Sequence, residues 1–101
     1  MAFKVIIKPL AYEDLDAAIN CYESQQKGLG VRFLQSFEIS INKIGNHPLH
    51  YATYYKNVRR HLLKIFPYKI FYLVVDDKVY VLGIYHGKRS NRFINKRLKL
   101  L

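Results

Sequence analysis

Residues 58–86 read VRRHLLKIFPYKIFYLVVDDKVYVLGIYH, and this stretch decides the fold. It holds three runs rich in β-branched and aromatic residues, 58–65, 68–75 and 78–86, broken at Phe66-Pro67 and at Asp76-Asp77. Such residues suit a pleated, half-buried surface and the breaks are turn chemistry, so the pattern predicts three strands joined by short connections. A two-residue loop at Asp76-Asp77 pairs Val75 with Lys78, Leu73 with Tyr80 and Lys69 with Ile84. Cross-strand partners point to the same side. Lys69, Phe71, Leu73 and Val75 are therefore expected to share a face with Lys78, Tyr80, Leu82, Ile84 and His86. Tyr68, Ile70, Tyr72, Val74, Val79, Val81 and Tyr85 form the other, almost wholly apolar face. Carrying the same count through Phe66-Pro67 pairs Lys64 with Lys69 and Arg60 with Leu73, which adds Arg60, Leu62 and Lys64 to the first face. Phe-Pro is poor chemistry for a tight turn, and a bulge there reverses the strand's faces.

Upstream, the pattern changes from period two to period 3.6. Phe3, Val5 and Ile7 alternate with Lys4, Ile6 and Lys8 as a first strand. Pro9 fits the first turn of a helix, and Glu13, Asp14 and Asp16 are expected near its positive end. Ala11, Leu15, Ala18 and Tyr22 form one helical stripe to about Ser24, and Gly28 is a natural left-handed cap. Leu34, Phe37, Ile41 and Ile44, widened by Phe33, form a second stripe that stops near Gly45. The short connection makes the two helices an antiparallel hairpin. Residues 46–57 read as a loop, and the tail after His86 carries Lys88, Arg89, Arg92, Lys96, Arg97 and Lys99 with no acid. The class is α+β: an N-terminal strand and an antiparallel helical hairpin packed on a small, mainly antiparallel sheet.

The chain has 101 residues and a formal charge of +10, and that length predicts one domain over residues 1–101. Residues 1–55 carry five bases and five acids, so the whole excess lies in residues 56–101, where only Asp76 and Asp77 are acidic. An evenly solubilising charge would not divide this way, and the basic half points to an anionic partner or substrate. Taken singly, each strand lysine reads first as a solvated side chain that keeps an edge from aggregating; it is Arg60, Lys64, Lys69 and His86 together on one face, beside the basic tail, that point to an anion-facing surface. With one cysteine, Cys21, the chain is no disulfide scaffold, and that thiol has no base placed to activate it. His47 and His50 flank Pro48 with no thiol or carboxylate beside them, so no metal and no cofactor is expected. Acids come too early for a secretory signal, and the longest apolar run, residues 70–75, is far short of a membrane span, which predicts a cytoplasmic protein with no membrane partner. No Ser/His/Asp set, P-loop or dinucleotide loop is present. His86, at a strand end before Gly87-Lys88-Arg89, is the one candidate general base, its cationic neighbours favouring the neutral ring.

The segments VRRHLLK (58–64), FPYKIFY (66–72) and YHGKR (85–89), in this order of elements, resemble the RelE/ParE toxins of bacterial type II toxin–antitoxin systems over nearly the whole chain. The resemblance implies a toxin that inhibits growth and is neutralised by a cognate acidic antitoxin. It also implies one of two activities. RelE-like members cut mRNA on the ribosome without a metal, and on this sequence Arg60, Lys69 and Arg89 fall where that branch uses bases, with His86 available for acid–base work. Leu62 and Asn95 stand where that branch would have Lys and Tyr. ParE-like members inhibit DNA gyrase and need no catalytic set, and the long helical hairpin, the FPY run and the incomplete nuclease set favour this branch. A third reading is a non-toxic basic nucleic-acid-binding domain. Arg60, Leu62, Lys64, Lys69, Phe71, Leu73, Lys88, Arg89 and Arg92 are the expected antitoxin or target contacts, with Phe71, Leu73, Leu82 and Ile84 as an exposed apolar floor for a partner helix or strand.

Overall fold

The structure, a computed structural model, describes residues 3–99. They run β1 (Lys4–Ile7), α1 (Pro9–Gln25), α2 (Leu29–Asn46), a 3₁₀ turn at Pro48–His50, β2 (Thr53–Tyr55), β3 (Val58–Leu62), β4 (Tyr68–Val75), β5 (Lys78–His86) and α3 (Asn91–Lys99). The five strands form one sheet in the order β1-β5-β4-β3-β2, antiparallel except where β1 lies parallel to β5. The architecture is the expected α+β one, with two elements the sequence reading left as loop and tail, β2 and α3.

The β4–β5 hairpin begins in the predicted register, with Val75 opposite Lys78 and Leu73 opposite Tyr80. Asp76 takes the left-handed conformation (φ +55°) that the turn needs and that Asp tolerates better than most residues. The register then slips between Phe71 and Tyr72, so that Phe71 faces Gly83 and Lys69 faces Tyr85, not Ile84. A glycine inside a strand is where such a bulge belongs. Here it also makes room, because the Tyr85 ring folds back over Gly83 into the space that a Cβ would need. The bulge reverses the expected faces of the last three residues of β5. Ile84 joins the core under the helices, Tyr85 turns to the opposite face, and His86 lies beside Tyr68 on the helix side.

β3 pairs two residues away from the expected register: Arg60 lies opposite Phe71, not Leu73, and Lys69 lies opposite Leu62, not Lys64. A shift of two preserves the faces. The strand stops at Leu62 because the connection is longer than a tight turn. Leu63 donates to the Tyr68 carbonyl at 3.0 Å and Tyr68 to the Phe66 carbonyl at 2.8 Å, while Leu63 and Phe66 turn into the core.

The helical hairpin buries Ala11, Leu15, Ala18, Phe33, Phe37 and Ile44 against Ile70, Tyr72, Val79, Val81 and Ile84. The first turn of α1 carries no acid; Glu13, Asp14 and Asp16 lie further along it, where the helix terminus no longer acts on them. Gly28 is left-handed as expected (φ +88°), and it starts α2. The Glu23 carboxylate caps that start, accepting the Gly28 and Gly30 N–H groups at 3.1 and 3.0 Å. On the far side of the sheet, Ile94 and Leu98 of α3 cover Phe71, Leu82 and Tyr85. The sheet is therefore enclosed from both sides over part of its area. No helix among the described residues is long and apolar enough to cross a membrane.

Candidate functional site

The alternation of β3 and β4 places Arg60, Leu62 and Lys69 on the face away from the helical hairpin. Arg60 lies with its guanidinium carbon 5.5 Å from the Tyr54 ring, a ring that in turn meets Phe71 edge-on. Stacking of this kind holds a cation near the surface while leaving its donors for a ligand. Leu62 is 61% exposed and Lys69 is half-buried beside it. After β5, Arg89 stacks on Phe93 at 4.5 Å, and Lys88 and Arg92 are exposed around the start of α3. Ser90 fixes that start by accepting the Phe93 N–H at 3.1 Å, and Tyr54 donates to Asn91 at 3.2 Å. Among the described residues only Arg97 and Lys78 reach a carboxylate, so the bases of this face have none within ion-pair range.

Three expected contacts lie elsewhere. Phe71 is 1% exposed and belongs to the cluster under α3, and Leu73 is half-buried against the same cluster. The open apolar floor predicted from Phe71, Leu82 and Ile84 is therefore absent: α3 covers the first two, and the bulge turns Ile84 to the opposite side. Lys64, past the end of β3, is exposed at the connection to β4 and does not stand beside Arg60 on the strand.

The four residues considered for catalysis do not converge. Arg60 and Lys69 belong to the second face, whereas His86 sits on the helix side with its ring 5.2 Å from that of Tyr68. Its Nδ1 accepts the Lys88 N–H at 3.0 Å. That bond engages the Nδ1 lone pair within the turn that follows β5. His86 and Arg89 line a cleft of about 250 Å³ with Cys21, Tyr68, Asp14 and Arg97. The described residues hold no cluster of three possible metal ligands.

The sequence reading missed the clasp that fixes this region. Asp14 accepts the Ile84 N–H at 3.2 Å and Arg97 Nη2 at 3.2 and 3.3 Å, joining α1, the bulged strand and α3 at one carboxylate. Burial pushes the Asp14 carboxyl above its ordinary range, more than these partners pull it down. Arg97 also lies 5.2 Å from the Tyr85 ring, whose hydroxyl is buried with no partner among the described residues. Arg59 is structural: it donates to the Tyr51 carbonyl at 2.6 Å and ties the loop before β2 to the sheet. Tyr72 does the same from below, donating to the Pro48 carbonyl at 2.6 Å, and burial raises its pKa to about 12.

Comparison with known proteins gives a consistent picture. A family described as the ParE toxin of the type II toxin–antitoxin system parDE matches residues 5–91. No curated protein matches the sequence. Among solved structures, the chromosomal ParDE toxin–antitoxin system from P. aeruginosa superimposes with a TM-score of 0.63 at 15% identity, covering 84% of this chain and 96% of that one. The isolated E. coli RelE toxin superimposes with a TM-score of 0.61, also at 15% identity, covering 99% of this chain and 100% of that one. At such identities the structural likeness speaks for the fold alone.

Proposed function

The chain belongs to the ParE toxin family of type II toxin–antitoxin systems, and from that premise we propose that it is a cytoplasmic, growth-arresting toxin that works by binding DNA gyrase. Membership gives it a cognate antitoxin as partner; the choice of target is the further step. What supports a binding poison over a ribonuclease is the divergence of the candidate catalytic groups. Cutting RNA needs a base for the 2′-hydroxyl, an acid for the leaving oxygen and cations at the phosphate, all around one atom. Arg60 and Lys69 supply cations on one face, while His86 lies across the sheet with Nδ1 already engaged. A docking surface makes no such demand. Exposed Leu62 beside Arg60 and Lys69 offers an apolar anchor next to cations, suited to an acidic protein surface.

The test is induction in bacteria of this chain alone and together with its antitoxin. Alone, it is expected to arrest growth, and plasmid recovered from arrested cells is expected to have lost negative supercoils; the antitoxin restores both. Arrest with normal supercoiling and with mRNAs cut in phase with codons places the chain in the ribonuclease branch. No arrest at all excludes a toxin of either kind.

A further inference from the structure

α3 has two faces of opposite character. Ile94 and Leu98 are buried against the sheet and Arg97 turns inward to Asp14, while Arg92, Lys96 and Lys99 are exposed. Spacings of four and three residues put these three bases within about 60° of one another around the helix, opposite the buried stripe. No carboxylate of the described residues lies within ion-pair range of them. Lys88 and Arg89 precede the helix, and the sequence has no acid after Asp77. This arrangement costs the isolated chain stability. Like charges four residues apart on a helix repel. Bases at 88, 89 and 92 also face the positive end of the helix dipole. A local charge conflict with no compensation nearby marks a surface that serves an outside partner.

We propose that the outer face of α3 binds the phosphate backbone of duplex DNA, so that the toxin grips the DNA on which gyrase acts as well as gyrase itself. The choice of DNA among polyanions rests on the gyrase reading above; the choice of a phosphate backbone rests on α3. An acidic protein partner would seat an apolar centre within the charged contact. The outward positions of α3 offer none, because Phe93, Ile94 and Leu98 all pack toward Phe71, Leu82 and Tyr85. An anionic membrane takes up the apolar face of an amphipathic helix, and here that face is covered by the sheet. A phosphate backbone asks only for cations at regular intervals. Arg92 and Lys99 lie about 10 Å apart along the axis at roughly 1.5 Å per residue. Over that length one strand of a duplex presents about three phosphates, at roughly 3.4 Å of axis each. Contacts of this kind position a protein on DNA without reading bases, so the binding is independent of sequence.

The test compares the purified chain with its Arg92→Gln/Lys96→Gln/Lys99→Gln variant, three exposed and helix-compatible changes. Each is titrated by fluorescence anisotropy into a labelled DNA duplex and into single-stranded RNA of the same length, at salt from about 50 to 200 mM. Each phosphate contact adds about 0.9 to the steepness of log affinity against log salt, so the parent's slope should exceed the variant's by about 2.7. Over that range the parent should lose about 40-fold more affinity for the duplex than the variant does. Thermal melting should find the variant at least as stable as the parent, because the repulsion along the helix is relieved. A lower Tm shows that these bases hold α3 in place and overturns the premise. Equal salt slopes, with duplex affinities within about threefold at the lowest salt, overturn the DNA contact. Tighter binding to RNA than to duplex assigns the face to RNA, and loss of antitoxin affinity without loss on DNA assigns it to an acidic protein; either result overturns the proposal. A parent that needs these bases to bind duplex but leaves gyrase supercoiling untouched upholds the contact and removes the gyrase reading.

Discussion

Asp14 gives the sharpest stability prediction, because two substitutions there separate charge from hydrogen bonding. Asp14→Ala removes the acceptor of the Ile84 N–H and, among the described residues, the only carboxylate within ion-pair range of Arg97. Leaving a buried donor unsatisfied costs about 1–3 kcal/mol, and Arg97, with its side chain about a quarter exposed, recovers part of its loss in water. The net expectation is a loss of about 2 kcal/mol, or roughly 8–16 °C in Tm for a domain of this size. Asp14→Asn keeps an oxygen for Ile84 and gives up only the charge. Since burial outweighs Arg97 in setting the Asp14 pKa, the ionised form gains nothing over a neutral isostere, and this variant should fall within about 0.5 kcal/mol of the parent. The pH dependence has a definite sign. A carboxyl whose folded pKa is raised contributes stability below the unfolded value of 3.8 and loses it as pH rises through the folded value, and both substitutions remove that slope. Urea and thermal unfolding followed by circular dichroism measure all three proteins. If Asp14→Asn costs as much as Asp14→Ala, the ion pair itself holds α3 and the argument from burial is refuted.

Further substitutions probe the neighbouring contacts. Gly83→Ala places a Cβ in the Tyr85 ring and should cost about 1–3 kcal/mol, with much of the loss recovered in Gly83→Ala/Tyr85→Val; additive costs in that double-mutant cycle contradict the overlap. Tyr85→Phe removes a buried hydroxyl that bonds nothing among the described residues, so its unfolding midpoint should equal or exceed the parent's, and a loss above about 1 kcal/mol reveals a partner for that hydroxyl. His61 is held neutral by burial and by Lys43, its pKa lowered from 6.5, so stability should decline as pH falls below 6.5, by up to about 1.4 kcal/mol per pH unit, until the folded pKa is reached. A His61→Gln variant should lack that decline between pH 7 and pH 5, and parallel curves for the two proteins count against it. Glu23→Ala uncaps α2 and should cost about 1 kcal/mol by thermal melting, with Glu23→Gln costing less; no change in either means that water replaces the cap.

The hairpin from Tyr68 to His86 was legible because a two-residue turn at Asp76-Asp77 leaves one register, and it held from Val75–Lys78 to Tyr72–Val81. Beyond that point one glycine decided the outcome. Gly83 inside a strand is a bulge signal, and ignoring it sent Ile84, Tyr85 and His86 to the wrong faces. Arg60, Leu62 and Lys69 were placed together correctly because the error at Phe66-Pro67 was an even number of residues. β2 is three residues long and bulged, too short for alternation to show. α3 was written in the spacing of Phe93, Ile94, Arg97 and Leu98, but the density of bases hid the apolar stripe. Its absence from the reading explains why Phe71 was expected in the open. Long-range partners such as Asp14 and Arg97, 83 residues apart, leave no local signal at all.

The central claim is that this toxin binds gyrase and carries out no RNA chemistry. Purified protein added to gyrase and relaxed plasmid tests it most directly, with a parallel reaction on translating ribosomes. The account predicts concentration-dependent loss of supercoiling in the first reaction and intact mRNA in the second, with antitoxin abolishing the inhibition. Normal supercoiling at saturating toxin, together with codon-phased mRNA cuts, contradicts it.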